Sequence, residues 1–389
     1  MNNRLAYYPE ITTKELEEAL IRGKNQTDEA MRSLGEQFKS CVSQKGVYHG
    51  TGNTDWTEGF YTGELWLMYE MTGEERFKEL ALKQVHSFYE RIQKRIAVEH
   101  HDMGFLYSLS CVAAYKLVGS QEGYEAALMA ADHLLERFQE KGEFIQAWGP
   151  LGVKENYRLI IDCLLNLPLL YWASEVTGDN KYASVAKKHT HTCLKYVIRE
   201  DHSTYHTYYF DLETGLPIKG VTAQGNRNGS AWARGQAWGI YGLALSYRYT
   251  KEERYVELFK AVADFFIDQL PEDLVPYWDF DFKDDSHEPK DSSAAVIAIC
   301  GMLEMSKYLE VEEAQYYTSV AKKMLKVLVD DYAVKEEDGS NGQLLHGTYA
   351  KKSPYNTVQD HGVDECTVWG DYYYLEAITR CLKDWKLYW

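Results

Sequence analysis

The chain has 389 residues, with 42 Lys and Arg against 59 Asp and Glu, for a formal net charge of −17. That balance argues against nucleic acid and anionic membrane surfaces, which attract basic proteins. A small anionic substrate stays open, because a few local Arg and His donors outweigh a distant, screened surface charge.

The N-terminal Met1-Asn2-Asn3-Arg4 is not followed by an apolar segment of the signal-peptide kind, and no run of 18 apolar residues occurs, so no membrane span is expected. The seven cysteines show no CxxC and no metal-type Cys/His spacing. Free thiols in a reducing cytoplasm fit them best, and neither a metal nor a cofactor is expected. The eight prolines are scattered and no linker or low-complexity tract appears, which predicts one domain over 1–389. With 31 Tyr, 10 Trp and 13 Phe the chain is rich in aromatics. Most such residues pack in cores, but Trp faces beside polar groups also suit sugar binding.

Apolar residues recur at i, i+3, i+4 and i+7, the helical period, while period-2 runs are few and short. An N-terminal helical segment is expected over about 13–42. Hairpins then begin near about 60, 105, 160, 232 and 293. In each, an apolar helix reaches a short turn and a second, amphipathic helix follows. Gly73, Gly119 and Gly178 sit where the first helix of the first three copies ends, suited to a left-handed C′ position. A C-terminal helix over about 368–383 closes on the N-terminal segment as the sixth pair. Six helical pairs make an all-α (α/α)6 barrel. The segments His202 to Gly229, Asp281 to Lys290 and Asp338 to Val363 read as loops, and long loops on a compact scaffold often carry function.

The lead-ins to the inner helices are polar: Asp55-Trp56 and Glu58, His100-His101-Asp102, Asn156-Tyr157-Arg158, Ser230 to Gln236, Asp291-Ser292-Ser293, and Asp364-Glu365. In a toroid they converge on one mouth. Helix caps account for Asp291 and Ser292. They do not account for Trp232, Arg234 and Gln236 together, or for the two histidines before Asp102. Asp162 is the other anomaly, lying inside Leu159-Ile160-Ile161-Asp162-Cys163-Leu164-Leu165, which reads as an apolar helix. A cap for Asp102 and a structural hydrogen bond for Asp162 would explain each alone. At matching places in a repeat, they point to an active site, because a carboxyl in apolar surroundings keeps the proton that general-acid catalysis needs.

His101-Asp102-Met103-Gly104-Phe105, Asp162, Ser230-Ala231-Trp232-Ala233-Arg234-Gly235-Gln236-Ala237-Trp238-Gly239 and Trp369-Gly370-Asp371-Tyr372-Tyr373-Tyr374-Leu375-Glu376-Ala377 together resemble the unsaturated glucuronyl hydrolases of glycoside hydrolase family 88. The resemblance runs from about Asp55 to the C-terminus. It implies hydration of a 4,5-unsaturated uronate at the non-reducing end of lyase-generated oligosaccharides, with no metal. By motif, Asp162 is the general acid/base and Asp102 its essential partner. His101, Trp148, His206, Gln224, Arg234 and Trp238 are the substrate-binding residues. Asp162 is expected to have a raised pKa, and Asp102, at a helix N-terminus, to ionise more easily. Arg234 is expected to clasp the uronate carboxylate with its planar fork. In Gly347-Thr348-Tyr349-Ala350-Lys351-Lys352, the family's sulfate-selective members use serines and a lysine; here Gly347 and Ala350 replace the serines, Lys352 remains, and sulfate preference is not expected. The alternatives are an unsaturated rhamnogalacturonyl hydrolase on the same barrel and a non-catalytic sugar-binding helical-repeat protein. Oligomeric state and the preferred glycan stay open.

Overall fold

The computed structural model describes residues 3–389. Six inner segments form a closed ring: Glu58–Thr72, 103–118, 161–177, Ala233–Thr250, Ser292–Met305 and Val368–Leu382. Each packs on the next, and Val368–Leu382 packs back against Glu58–Thr72. Their outer partners are Glu75–Gln93, Gln121–Glu136, Lys181–Val197, Arg254–Gln269, Val311–Val327 and, for the last inner helix, Thr13–Leu34. This is the expected (α/α)6 barrel, with the N-terminal helix completing the sixth pair.

Burial follows the sequence pattern. Every residue from Glu58 to Met68 and from Ala233 to Tyr247 is buried, as befits helices surrounded by protein. The outer helix Glu75–Gln93 buries a single stripe through Phe77, Leu80, Ala81, Gln84, Val85 and Phe88. Gly73, Gly119 and Gly178 end the inner helices with φ of 71°, 68° and 73°. In the fourth copy Lys251 takes that left-handed place at φ 55°.

The structure departs from the helical expectation around Asp162. Arg158–Ile160 is a short strand, Ile161–Leu165 a 3-10 turn, and the α-helix begins only at Pro168. A short apolar run such as Leu159-Ile160-Ile161 fits a buried strand as well as a helix. The strand pairs antiparallel with Thr207–Phe210, which pairs with Pro217–Val221, so the expected loop His202 to Gly229 carries two strands. The loop Asp338 to Val363 likewise supplies most of a hairpin, Gly347–Ala350 with His361–Glu365.

The barrel end holding the C-termini of the inner helices is filled by 383–389. Trp389 stacks on Tyr373 and donates Nε1–H to Glu376, while Lys116 Nζ donates to the carbonyls of Leu387 and Tyr388. The opposite end is the open mouth.

One close approach sets the mouth's geometry. A Cβ on Gly104 would lie 2.3 Å from Asn166 Cα, so only glycine lets the start of the 103–118 helix rest on the 161–165 turn. Asn166 then accepts the Phe105 N–H at 2.8 Å. Gly104→Ala must force these segments apart. It is expected to destabilise the fold by about 1–3 kcal/mol in denaturant unfolding. Activity should fall further than stability accounts for, whereas Gly52→Ala, with open space around the new methyl, should change neither.

Candidate active site

Asp102 precedes the helix Met103–Tyr107 but makes no side-chain capping bond. Its carboxyl turns instead toward His101 and Asp162. Asp162 is carried there by the strand register: Ile160 pairs with Thr207, and the Ile161 N–H donates to His206 O at 3.1 Å. The same ladder therefore sets Asp162 beside His206. Asn166 ties the two segments, its Nδ2 donating to Asp102 Oδ1 at 3.5 Å and to Asp162 O at 3.4 Å.

His101 Nε2 lies 3.4 Å from one carboxylate oxygen of each aspartate. Neither contact has hydrogen-bond alignment; His101 Nε2 and Asp162 Oδ1 are both buried without a hydrogen-bond partner. His101 is fully buried, and desolvation, reinforced by His100 and Arg137, holds its pKa well below the ordinary histidine value. The ring is therefore neutral. The Asp162 side chain is 19% exposed and that of Asp102 only 2%, so Asp162 is the more accessible of the two.

Both carboxyls are pushed upward. Burial is the main cause for Asp162, with the neighbouring Asp102 adding to it and Arg234 opposing. Burial and then the Asp55 charge raise Asp102 to about 8, against hydrogen bonds from Asn166 and Trp148 and the charge of Arg137. The expectation that Asp102 ionises easily is thus corrected. Its helix spans only Met103–Tyr107 before a π-turn, and the desolvation of a nearly inaccessible carboxyl outweighs the dipole.

These groups line a cavity of about 160 Å³ with Trp56, Trp148, Ile160, His206, Ala223, Gln224, Trp232, Arg234, Trp238 and Tyr349. The volume is that of a single sugar ring, walled largely by aromatic faces. Trp148 is 38% exposed and stacks on His100 at 4.4 Å. Trp238 is buried against Phe105 and Tyr373. His206 is held neutral, its pKa lowered to about 3 by burial and then by Arg234; its Nδ1 meets Thr207 Oγ1 and its ring packs on Trp232 at 4.9 Å.

Arg234 is in the wall, but its fork is already engaged. Nη1 donates to Asp291 Oδ2 at 2.5 Å and to Thr348 O at 2.6 Å; Nη2 donates to Gln224 Oε1 at 2.7 Å and to Tyr349 O at 2.6 Å. The expected open bidentate clasp is therefore not what the site presents. Asp291 makes no side-chain cap either; it accepts from Arg234 and from Ser293 Oγ. Lys352 lies outside the cavity wall, exposed, with Nζ 3.3 Å from Gln359 Oε1. His101 also stands behind the wall, beneath the two aspartates.

The sequence reading missed Trp56, Ile160, Ala223, Trp232 and Tyr349 as wall residues. Trp56 and Trp232 lay in the polar lead-ins and were legible there. Tyr349 had no signal of its own, because only the hairpin folding over the mouth brings its hydroxyl within 3.2 Å of Trp56 Nε1. Nor did spacing show the ligand-type cluster of His101, Asp102 and Asp162, whose donor atoms lie within 4.8 Å of one another across sixty residues of sequence.

Comparison with known proteins shows the family and the fold. Residues 28–375 match the family described as Glycosyl Hydrolase Family 88. The chain is 48% identical over 388 residues to the unsaturated chondroitin disaccharide hydrolase of Streptococcus pneumoniae, covering 99% of this chain and 96% of that protein. The crystal structure of unsaturated glucuronyl hydrolase from Streptococcus agalactiae superposes with a TM-score of 0.95 at 48% identity, covering 99% of this chain and 96% of that one. A variant of the same enzyme complexed with dGlcA-GalNAc6S superposes at 0.88 with 43% identity, covering 100% and 96%. The chain is a member of glycosyl hydrolase family 88.

Proposed function

We propose that this enzyme removes a 4,5-unsaturated uronate from the non-reducing end of glycosaminoglycan-type oligosaccharides by hydrating its vinyl ether. The observation that carries the reading is the pair of desolvated carboxyls, set against a neutral histidine at the floor of a cavity sized for one ring. The names of the relatives above support it over the rhamnogalacturonyl alternative. Seven free cysteines favour a cytoplasmic protein, and no helix among the described residues is long and apolar enough to cross a membrane.

Asp162, as the exposed member, donates its proton to carbon 4. Positive charge develops at carbon 5 and is shared with the ring oxygen. Water adds at carbon 5 and returns its proton to the Asp162 carboxylate. The resulting hemiketal collapses, the ring opens and the remaining sugar leaves. The Asp102 carboxyl presents its oxygen dipole to the cationic intermediate. Neutral His101 lies between the two oxygens without neutralising them. Trp148, Trp238 and Gln224 hold the sugar, and His206 borders the reacting face. Arg234 acts by fixing Gln224 and the Thr348–Tyr349 backbone. The rule relating carboxylate separation to stereochemical outcome does not apply, because the reacting centre is an alkene.

Asp162→Asn keeps the side chain's shape but removes the acidic proton. It should cut turnover of an unsaturated disaccharide by about 10²–10⁴-fold or more, with folding unchanged by circular dichroism. Near wild-type turnover in the folded variant would refute the assignment.

Burial raises the pKa of Asp102 to about 8 and pushes that of Asp162 up as well. Activity should therefore decline on the alkaline side of about pH 8. Stability carries the same signature. A carboxyl with a raised folded pKa opposes folding once the pH exceeds its unfolded value, about 3.9, and the cost grows until the folded value is passed. Asp102→Asn should be inactive yet more stable than wild type at pH 8, by about 1 kcal/mol or more. The difference should close toward pH 4. Equal stability at pH 8 would contradict the raised pKa.

Sulfate selectivity is not expected. Gly347 and Ala350 offer no side-chain donors, the Thr348 hydroxyl donates to Lys290 O, and that of Ser353 donates to Asn226 O. Lys352 alone is a solvated charge. Unsulfated chondroitin disaccharide should have a kcat/KM at least equal to that of its 6-sulfated counterpart at fixed salt. A strong 6-sulfate preference would refute this.

A further inference from the structure

A second cavity opens from the first. A groove of about 800 Å³ shares Ile160, His206 and Ala223 with the catalytic cavity and runs outward over the strands Arg158–Ile160, Thr207–Phe210 and Pro217–Val221. Its lining carries three cations, Lys154, Arg158 and Lys219, against one carboxylate, Glu155. That is a local excess of two positive charges on a chain of net charge −17. Arg158 is braced by bonds to Glu155 O and Asn156 Oδ1 and lies over the Tyr209 ring at 5.8 Å. The lining also includes Tyr355, which is 68% exposed.

Tyr355 is an unusual surface aromatic because its turn is well held. Ser353 Oγ accepts the N–H groups of Tyr355 and Asn356 and donates to Asn226 O. Asn356 Nδ2 donates to Gly225 O and Lys351 O. A fixed aromatic face in the same groove as three cations matches a sugar ring bearing an acidic group.

The catalytic cavity holds one ring, so everything beyond the cleaved bond must lie outside it. We propose that this groove takes the leaving portion of longer substrates. Tyr355 packs on a sugar face, and Lys219 with Arg158 meets the carboxylate of the next uronate along the chain. The proposal rests on the function assigned above and extends it to substrate length: the protein would act on unsaturated tetrasaccharides at least as well as on disaccharides.

The test compares an unsaturated chondroitin disaccharide with the unsulfated tetrasaccharide made by the same lyase, at low and high salt. Wild type should show a higher kcat/KM on the tetrasaccharide at low salt, with the advantage shrinking as salt rises. Lys219 is exposed, so Lys219→Gln and Lys219→Glu should fold normally. They should lower tetrasaccharide kcat/KM by about two- to fivefold, more for the charge reversal, chiefly through KM. Tyr355→Ala should act in the same direction. Disaccharide kinetics should not move in any of the three. Tetrasaccharide kinetics that are indifferent to these substitutions, with the disaccharide still turned over, would overturn the groove assignment alone. Failure of wild type on both sugars would instead remove the function on which the groove depends, and the groove with it.

Discussion

Two carboxyl groups kept almost out of water beside a neutral imidazole are the constraint around which this barrel mouth is arranged. Ionised carboxylates in such a place would be strained by desolvation, and the two would repel each other. The molecule has buried acids elsewhere, and the contrast shows what is special here. Burial alone would raise the pKa of Glu304, yet Arg380, Lys307 and Arg248 hold it down to about 2. Glu64 and Asp371 share the buried ammonium of Lys39. Those acids have cationic partners and serve the fold. Asp102 and Asp162 share neutral His101, with His100 and the Asn166 amide also on Asp102, and burial pushes both pKa values up. Glu64 is raised to about 8 even beside Lys39, so burial and a raised pKa are common to both kinds; what sets Asp102 and Asp162 apart is that they meet across a neutral imidazole in the wall of a cavity.

That arrangement depends on backbone approach more than on side-chain packing. Gly104 lets two segments touch at distances no side chain would allow, and Gly59 does the same for the neighbouring inner helix, where a Cβ would lie 2.0 Å from Phe105 O. Asn166 then bonds to both segments. The strand Arg158–Ile160 replaces the first turns of what would otherwise be an inner helix, and turns Asp162 into the mouth beside His206. Arg234 plays the complementary part on the far wall. Fully engaged with Asp291, Gln224 and two carbonyls, it joins the Ala233–Thr250 helix, the Ser292–Met305 helix and the hairpin lid into one rigid rim, so the sugar meets a surface already ordered.

Sequence by itself determined the barrel, because six apolar-then-amphipathic helical pairs with glycine-ended turns have few ways to bury their faces. It also singled out Asp102 and Asp162, which the fold brings together: a carboxyl inside an apolar run is anomalous wherever the chain goes, and the block Ser230 to Gly239 is distinctive in composition. Tertiary structure decided what periodicity could not encode. Leu159-Ile160-Ile161 reads equally as helix or strand until Thr207–Phe210 arrives to pair with it. Asp102 and Asp291 read as caps, and only the folded positions of His101, Asp162 and Arg234 show that their side chains turn elsewhere. The ease of ionising Asp102 was misjudged for the same reason: local sequence reports the helix terminus, whereas desolvation depends on every segment packed around it. Tyr349, Trp56 and the cationic groove are products of loops and strands meeting across long stretches of chain, and such meetings leave no local mark in the sequence.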